Sequence, residues 1–443
     1  MLPKRMVRCF FLMLLFNFPL FTLFLSGTLI HVLSLTGLFV FYLLFNIFPV
    51  NVNCSRKRLK ILYGGCELMK TVIACFFLEL AFYAYILISK PEIPPLFLVV
   101  NGITSVLLLS FLLLNGILRI FTCSTQLGVL KRIALLLFWW VPILNLKLLY
   151  QLMAVSHKEY EFTLNKQQFY LEKKGEELCK TKYPILMVHG IFFRDWKNFN
   201  YWGRIPGELN RHGAFVSYSN HQSSASVEQC AAEIKTSILK LVKETGCDKV
   251  NLIAHSKGGL DCRYAISCLN MAPYVASLTT INTPHFGCHY VCRILDRISP
   301  KFATAIGKKY ESLFLFLGDD NPDFLSGLKD LTDRECKRLN KQMKDAPGVL
   351  YQSTGSQLGS RKSAMFPLNL GYTIIKLMGG GDNDGLVPTS SMEWGTPLGI
   401  LKPEGKQGIS HGDVIDLTRK NIEGFDVLGF YTDIVHKLKE EGY

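Results

Sequence analysis

The chain has 443 residues, 49% of them hydrophobic, and it carries 49 Lys and Arg side chains against 35 Asp and Glu. This composition excludes a disordered polypeptide, a collagen-like fibre and a small disulfide scaffold. The charge is uneven, because residues 1–155 hold 13 basic and three acidic side chains and so carry +10 of the net +14. The remainder is nearly balanced, which argues against a nucleic-acid-binding protein.

Residues 1–155 predict a multi-pass membrane region of four or five helices. About 20 apolar residues cross a hydrocarbon core about 30 Å thick, and residues 9–50 stay apolar for about twice that length. No small-residue cleavage site separates the first two segments, which argues against a secretory signal peptide. We expect helices near 9–25, 29–49, 71–89, 96–118 and, in a fifth and more interrupted segment, 133–155.

Basic residues flanking these helices favour a cytoplasmic amino terminus, because Lys and Arg collect on the cytoplasmic side. The fifth segment decides the side of everything after it. Trp139 and Trp140 favour a spanning helix, whereas Pro142 and Lys147 interrupt the apolar run. If the segment spans, the rest of the chain lies outside the cytoplasm, which we expect; if it lies flat in the interface, the rest lies inside.

The cysteines of the whole chain and one acidic residue of the membrane region carry further implications. The 13 cysteines are odd in number and show no framework spacing, so we expect mostly free thiols, which favours a reducing compartment. Glu79 lies within the third predicted helix, where an acid is a candidate for transport chemistry. Because no intramembrane partner is obvious, we favour a helix-packing hydrogen bond for Glu79.

From about His157 the pattern changes to short apolar runs separated by amphipathic helices and glycine-rich turns. This alternation predicts an α/β fold with a mostly parallel sheet. Residues 228–245 and 258–269 are typical of helices. The predicted strands are 184–188, 214–219, 249–254 and 277–282.

Residues 250–259 read Val-Asn-Leu-Ile-Ala-His-Ser-Lys-Gly-Gly, a buried strand that runs through Ala-x-Ser-x-Gly into a helix. This is the context of a nucleophile elbow, in which a serine occupies a strained turn and small neighbours let strand and helix approach closely. The positive helix end and the Lys257 N–H could stabilise an oxyanion. Ser256 is therefore the candidate nucleophile.

A second motif could supply the other oxyanion donor. The apolar run 184–188 ends in His189, Gly190 and Ile191, and the Ile191 N–H is suited to that role if the turn faces the serine. A strand-ending turn with a packing histidine is the alternative. The order and separation of the two motifs favour the catalytic interpretation.

The acid and the base should follow the nucleophile in the order Ser, Asp, His. Asp384 lies in a glycine-rich turn, and His411 follows it by 27 residues. Asp384 would orient His411, which would take the proton from Ser256. The alternatives are His255, which the elbow itself carries, His285, and Asp382.

From about Tyr183 to its end the chain resembles the bacterial true lipases of the α/β-hydrolase superfamily, as found in Pseudomonas, Burkholderia and clostridial relatives. The resemblance implies an α/β-hydrolase fold over 156–443, a triad of Ser256, Asp384 and His411, and oxyanion donors at the Ile191 and Lys257 N–H groups. It says nothing of the membrane half. The shared motifs are 183–190, 200–203, 249–259, 278–285, 383–387 and His411-x-Asp413.

The family pattern also implies a calcium ion, held by Asp413 and an earlier aspartate, but residues 360–365 offer no carboxylate. One carboxylate cannot supply six to eight oxygens, so we do not expect calcium. A zinc cluster at one helix face is a further candidate, although a single rigid helix rarely wraps a metal and two buried thiols are the simpler interpretation. The four side chains concerned are His285, Cys288, His289 and Cys292.

The resemblance implies a lid within 288–344, where the amphipathic stretch 302–317 ends in the apolar residues 313–317. We expect a membrane-anchored serine hydrolase that cleaves carboxylic esters of lipids, as a triacylglycerol lipase does, without a cofactor. Phospholipase or acyltransferase chemistry could use the same triad, and a sensor or transport subunit could keep only the hydrolase shell. The sequence does not indicate head group, acyl length or oligomeric state.

Overall fold

The computed structural model describes the chain except residues 1, 24–26, 51, 53, 55, 90–91, 174, 192–199, 223, 317–321 and 403–407. The end of the first predicted helix and Leu317 of the predicted lid lie outside the described residues. The chain divides into two compact units, Met1–Lys174 and Gly175–Tyr443, where the sequence placed the boundary after residue 155. All 13 cysteines are free thiols.

The first unit, called the helical unit here, is all α. Its helices are α1 (Leu2–Phe16), α2 (Phe18–Phe21), α3 (Thr28–Ile47), α4 (Lys57–Ser89), α5 (Pro95–Cys123), α6 (Val129–Leu137) and α7 (Pro142–Glu172).

Three helices in the described part of the chain, α3, α4 and α5, are long and apolar enough to cross a membrane. The sequence predicted four or five such segments. The first predicted helix is interrupted at Asn17, so α1 and α2 are each short. The fifth is interrupted between Leu137 and Pro142, before α7, whose sequence is far more polar. Asparagine and proline thus end apolar runs that length alone would join.

Polar side chains hold the helical unit together from inside. Asn17 donates to a carboxylate oxygen of Glu79 over 2.8 Å, and Asn101 donates to Asn17 over 2.8 Å. Glu79 therefore makes the interhelical hydrogen bond that its position in the sequence favoured. Elsewhere Glu159 of α7 accepts hydrogen bonds from Arg58 at 2.6 Å and from Ser124 at 2.7 Å.

The second unit, called the catalytic unit here, is built on six parallel strands in the order β2-β1-β3-β4-β5-β6. The four predicted strands are present. The strands are β1 (Ile185–Val188), β2 (Val216–Tyr218), β3 (Val250–His255), β4 (Val275–Ile281), β5 (Leu350–Ser356) and β6 (Thr396–Leu401).

Helices cover both faces of this sheet. One apolar core joins the sheet to the helices Ile205–Arg211 and Val427–Glu440, and a second joins it to the helices Val227–Thr245 and Lys257–Cys268. The predicted α/β-hydrolase fold class, with an all-α region before it, is confirmed. The helices are α8 (Ile205–Arg211), α9 (Val227–Thr245), α10 (Lys257–Cys268), α11 (His289–Arg297), α12 (Pro300–Phe316), α13 (Phe324–Lys329), α14 (Asp333–Gln342), α15 (Leu368–Leu377) and α16 (Val427–Glu440), with 3₁₀ turns at Ala272–Tyr274, Arg361–Ser363 and Thr389–Ser391.

The stretch expected to form a lid is helical, in α12. Phe314 is buried, and its ring lies 6.3 Å from the ring of Phe324 in α13, while Leu315 is exposed. Tyr310 stacks on Phe324 at 4.7 Å. In this conformation Phe314 therefore packs against α13, and a lid function for α12 stays a prediction.

Candidate active site

Ser256 lies between the end of β3 and the start of α10, with φ 55° and ψ −133°. A non-glycine residue with positive φ is strained, and such strain is held in place by its surroundings. The Ser256 N–H donates to the Ile281 carbonyl of β4 over 2.9 Å, which fixes the turn to the sheet. The predicted elbow geometry is present around this serine.

Glycines allow the turn to sit this close to its neighbours. A Cβ on Gly258 would lie 2.4 Å from the His189 carbonyl oxygen, and a Cβ on Gly190 would lie 2.8 Å from the Ser256 Cβ. Both distances are below any real Cβ contact, so only glycine fits. The loop after β1 is thereby held directly against the serine.

Asp384 and His411 are brought together as the sequence predicted. His411 Nδ1 lies 2.6 Å from Asp384 Oδ2, and Asp384 is fully buried. Asn282 donates to the same oxygen over 2.6 Å, while the N–H groups of Leu386 and Val387 donate to Oδ1 over 2.8 and 2.7 Å. A buried carboxylate that accepts this many hydrogen bonds is fixed in direction.

His255 is excluded as the base by its environment. Its Nδ1 lies 2.6 Å from the Tyr201 hydroxyl, and the whole side chain is buried. Burial and the neighbouring His411 hold the pKa of His255 well below its ordinary value. The ring of His255 lies 4.4 Å from that of His411, which brings His411 to the side of the elbow.

His285 and Asp382, which the sequence also allowed as base and acid, have partners of their own. His285 is buried, with its Nε2 3.0 Å from the Thr280 hydroxyl and its Nδ1 3.4 Å from the Arg263 guanidinium. Asp382 is at the surface and pairs with Lys376 at 3.1 Å. Among the described residues, neither makes a contact with His411 like that of Asp384.

The candidate oxyanion residue Lys257 has an unusual side chain environment. Its ammonium lies 2.7 Å from Asp261 and 3.4 Å from the Cys230 sulfur, and all three side chains are buried. Burial disfavours the charged lysine, but the ion pair with Asp261 prevails and raises its pKa. His221, Cys230 and Asp261 cluster closely enough to hold a metal, and the Lys257 ammonium already supplies a cation to Cys230 and Asp261.

The residues expected near a calcium ion do not fit one. Asp413 accepts the Ser410 N–H and hydroxyl through Oδ2, at 3.1 and 2.6 Å. The adjacent carboxylate of Asp416 accepts two bonds from the Arg204 guanidinium at 2.8 Å and one from the Arg204 N–H at 2.8 Å. Asp413 is thus held by Ser410, and Asp416, the next carboxylate in the chain, is paired with an arginine, which does not match the open oxygen ligands that calcium needs.

The proposed zinc cluster is dispersed because α11 begins only at His289, so the four side chains do not share one helix face. His289 bonds Asp333 at 2.8 Å, and the thiols of Cys288 and Cys292 donate to the Leu386 carbonyl and to Asp296. His285 faces Thr280 and Arg263. A zinc site at these residues is therefore not formed.

The known proteins that this chain resembles are esterases and lipases. Residues 185–350 match the family model described as "Putative serine esterase (DUF676)". The chain is 28% identical over 263 residues to triacylglycerol lipase 2 of Saccharomyces cerevisiae, covering 55% of this chain and 74% of that one. It is 29% identical over 286 residues to a triacylglycerol lipase of Vibrio cholerae, covering 59% and 89%. The chain is a carboxylic ester hydrolase, as the sequence predicted.

A further relative and a solved structure also match this chain. A triacylglycerol lipase of Pseudarthrobacter phenanthrenivorans is 31% identical over 185 residues, which is 39% of this chain and 57% of that one. Among solved structures, the mature Bacillus licheniformis lipase BlEst2 aligns with a TM-score of 0.43 at 18% identity, covering 58% of this chain and 92% of that one. The family match, residues 185–350, lies wholly within the catalytic unit.

Sequence reasoning missed two parts of the site. Asn282 was seen only within a shared motif, yet it holds the acid through its side chain. Arg204 and Asp416 had no local signal, because 212 positions separate them in the chain. Asn282 has φ 49°, and an asparagine directly after a buried strand is the signal that could have found it.

Proposed function

We propose that this protein is a membrane-anchored serine hydrolase that cleaves carboxylic esters of lipids through Ser256, His411 and Asp384. The observation that carries the proposal is the buried 2.6 Å contact between Asp384 and His411 beside a strained serine. An aspartate that holds one imidazole nitrogen fixes the tautomer, so His411 Nε2 is left as the base.

In the first step Ser256 Oγ attacks the acyl carbonyl while His411 takes the hydroxyl proton. The negative charge on the carbonyl oxygen is stabilised by the Ile191 and Lys257 N–H groups, and the positive end of α10 adds to this. His411 then gives its proton to the leaving alcohol. Water, activated by His411, releases the acid and restores Ser256. Asp384 stabilises the imidazolium throughout and keeps its own charge.

Lipid esters are the substrate class that the rest of the molecule supports. The helical unit contributes three apolar helices able to cross a bilayer, so the enzyme would work beside its substrate. The Saccharomyces and Vibrio relatives are triacylglycerol lipases. A triacylglycerol or a related acylglycerol is therefore our first substrate.

We also propose that the amino terminus is cytoplasmic and the catalytic unit lies on the opposite side. Three crossings, an odd number, would separate α1 from the catalytic unit in this way. Protease added to sealed cells should then digest the catalytic unit and spare an amino-terminal tag. Digestion only after permeabilisation would place the catalytic unit inside.

Labelling with a fluorophosphonate probe tests the nucleophile. The parent chain should be labelled and should hydrolyse a nitrophenyl ester, whereas Ser256→Ala should do neither, with a loss of about 10³-fold or more. Ser224→Ala, which removes the hydroxyl of another buried serine in the same unit, serves as the control. Ser256→Ala activity within tenfold of the parent would overturn the assignment.

A further inference from the structure

The segment from Arg361 to Leu377 forms an exposed apolar surface on the catalytic unit. Four of its apolar side chains are strongly exposed: Met365 by 62%, Phe366 by 78%, Leu370 by 51% and Leu377 by 82%. Leu370 and Leu377 are seven positions apart in α15 and so lie on one face of that helix. Exposed side chains of this size, grouped in one segment, indicate a binding surface.

The same segment is positively charged. Residues 361–377 contain Arg361, Lys362 and Lys376 and no acidic residue. Lys376 pairs with Asp382, but neither Arg361 nor Lys362 takes part in an ion pair within the described residues. Lys420 is exposed beside them, with its ammonium 3.7 Å from the Met365 sulfur. Cations around apolar side chains match the chemistry of anionic lipid headgroups over a hydrocarbon layer.

The inner side of the segment packs on the active site. Ile375 is fully buried, and a Cβ on Gly371 would lie 2.0 Å from the carbonyl oxygen of Gly385, the residue after Asp384. Gly385 in turn approaches the Leu368 carbonyl, where a Cβ would lie at 2.9 Å. The exposed surface is thus the outer side of an element that supports the catalytic acid.

We infer that residues 361–377, with Lys420, dock the catalytic unit onto an anionic lipid surface. This inference deepens the proposed function, on which it rests, by naming how the unit meets an ester held in a bilayer. Phe366, Leu370 and Leu377 enter the interface, and Arg361, Lys362 and Lys420 contact lipid phosphates. The docking is separate from the attachment that α3, α4 and α5 provide.

The first experiment reads contact with lipid directly and needs no activity. The full chain carrying Phe366→Trp is reconstituted in phosphatidylcholine vesicles with about 30% phosphatidylserine, an anionic fraction chosen to give a negative surface potential, and brominated lipid is added as quencher. Its tryptophan fluorescence should fall more than that of the parent chain. Phe215→Trp, at a position 59% exposed on the same unit, is the matched control and should add no quenching. Equal behaviour of the two variants would overturn the inference.

The second experiment separates docking from chemistry. Phe366→Ser with Leu377→Ser should lower hydrolysis of a long-chain ester in these vesicles by about tenfold and leave a soluble short-chain ester within about twofold. Phe215→Ser should change neither. Equal loss on both substrates would mean that the segment only supports Asp384, and the inference would fail. Absence of soluble-ester hydrolysis in the parent chain would instead sink the proposed function, while the quenching result would still stand.

The charge component has its own test. Arg361→Gln with Lys362→Gln should lower vesicle hydrolysis about tenfold with phosphatidylserine present, and the loss should vanish in pure phosphatidylcholine or at high salt. Lys240→Gln with Lys243→Gln, on the exposed face of α9, is the control pair. A loss that ignores lipid charge and salt would contradict the anionic partner.

Discussion

The helical unit and the catalytic unit place their apolar residues in opposite ways. Only 11 to 28% of the apolar windows of α3, α4 and α5 is buried within the protein, whereas every residue of β1, β3 and β4 is buried. Apolar residues are therefore placed on the outside of the helical unit and on the inside of the catalytic unit. In the helical unit the apolar side chains stay on the outside, where a bilayer could cover them, and in the catalytic unit they are removed from water.

The two units nevertheless hold their interiors with the same device. Each places an arginine that is about one third exposed on a carboxylate that is almost completely buried: Arg58 on Glu159, and Arg204 on Asp416. The surroundings differ, because Glu159 lies in a long helix and Asp416 in the loop five positions after His411. One ion pair supports a scaffold, and the other supports the base.

The largest expected effect is a loss of activity when a buried carboxylate is neutralised in the catalytic unit but not in the helical unit. Asp384→Asn should lower hydrolysis of a soluble ester by about 10⁴-fold, because the amide no longer favours the productive His411 tautomer. Glu159→Gln also removes the charge of a buried carboxylate, but should leave activity per folded molecule unchanged. Turnover numbers from active-site titration measure both.

Asp382→Asn is the close control, two positions before Asp384, and should stay within about twofold of the parent chain, because surface ion pairs contribute little. If Asp382→Asn were the damaging change, the acid would be misassigned. If Glu159→Gln lowered the turnover number as much as Asp384→Asn does, the distinction between the units would not hold.

Replacing Arg204 or Arg58 compares the stability of the two units. Arg204→Gln and Arg58→Gln should each cost the unit that contains it about 2 kcal/mol, since each leaves a buried carboxylate short of a partner that is itself partly solvated. Only Arg204→Gln should also lower the turnover number. Urea unfolding followed by unit-specific probes gives the stabilities.

Because Arg204 neutralises Asp416, chelating calcium should change neither the stability nor the turnover number. A melting temperature that drops by several degrees with chelator would show that calcium is bound.

Adding a Cβ where two backbone segments approach closely should destabilise the protein by an amount similar to the loss of either arginine. Gly258→Ala would put a Cβ 2.4 Å from the His189 carbonyl oxygen, so we expect about 2 to 3 kcal/mol of destabilisation together with lower activity. Gly207→Ala in α8 meets nothing within 4 Å and should be neutral or slightly stabilising. Thermal unfolding compares the two, and an unchanged melting temperature for Gly258→Ala would show that the elbow tolerates a wider gap.

The smallest expected effect concerns pH. Burial and the charge of Arg263 hold the pKa of His285 well below its ordinary value of 6.5. The unfolded chain therefore binds a proton below about pH 6.5 that the folded chain does not bind, and stability falls as the pH falls. His285→Gln should reduce this slope by up to about 1.4 kcal/mol per pH unit between about pH 6 and 5.

The measurement is the urea midpoint at each pH, with His436→Gln as a control for loss of a half-exposed histidine. Asp261, whose pKa burial raises, is present in all three chains, so its contribution cancels in the comparison. Parallel slopes for the parent chain and His285→Gln would contradict the assignment.

The sequence predicted those elements that are determined by residues close together in the chain. The strand β1 is a continuous apolar run, β3 and β4 are rich in apolar and β-branched residues, and Ala254, Ser256 and Gly258 mark a turn that few sequences allow. The sequence also named Asp384 and His411, which the structure places in contact. It missed β5 and β6, because Tyr-Gln-Ser-Thr-Gly-Ser is polar and Thr-Pro-Leu-Gly carries two strand breakers.

The failures share a physical cause. In β5 the polar side chains are buried through partners on other elements, such as Gln352 with Thr279 at 2.7 Å, so burial cannot be seen from hydrophobicity. The Arg204 pair depends on a contact between distant parts of the chain. In the helical unit, apolar length did not show the helix breaks at Asn17 and before Pro142, because these interruptions are single residues within long runs.

The backbone of Ser256 has a consequence for engineering this protein. A serine held at φ 55° raises the energy of the folded state by an amount on the order of 1 kcal/mol, and glycine would relieve it. Directed evolution for heat resistance alone should therefore favour glycine at position 256 and yield a robust but inert protein. A library screened for thermostability has to be screened for turnover in the same round, because the two goals diverge at this residue.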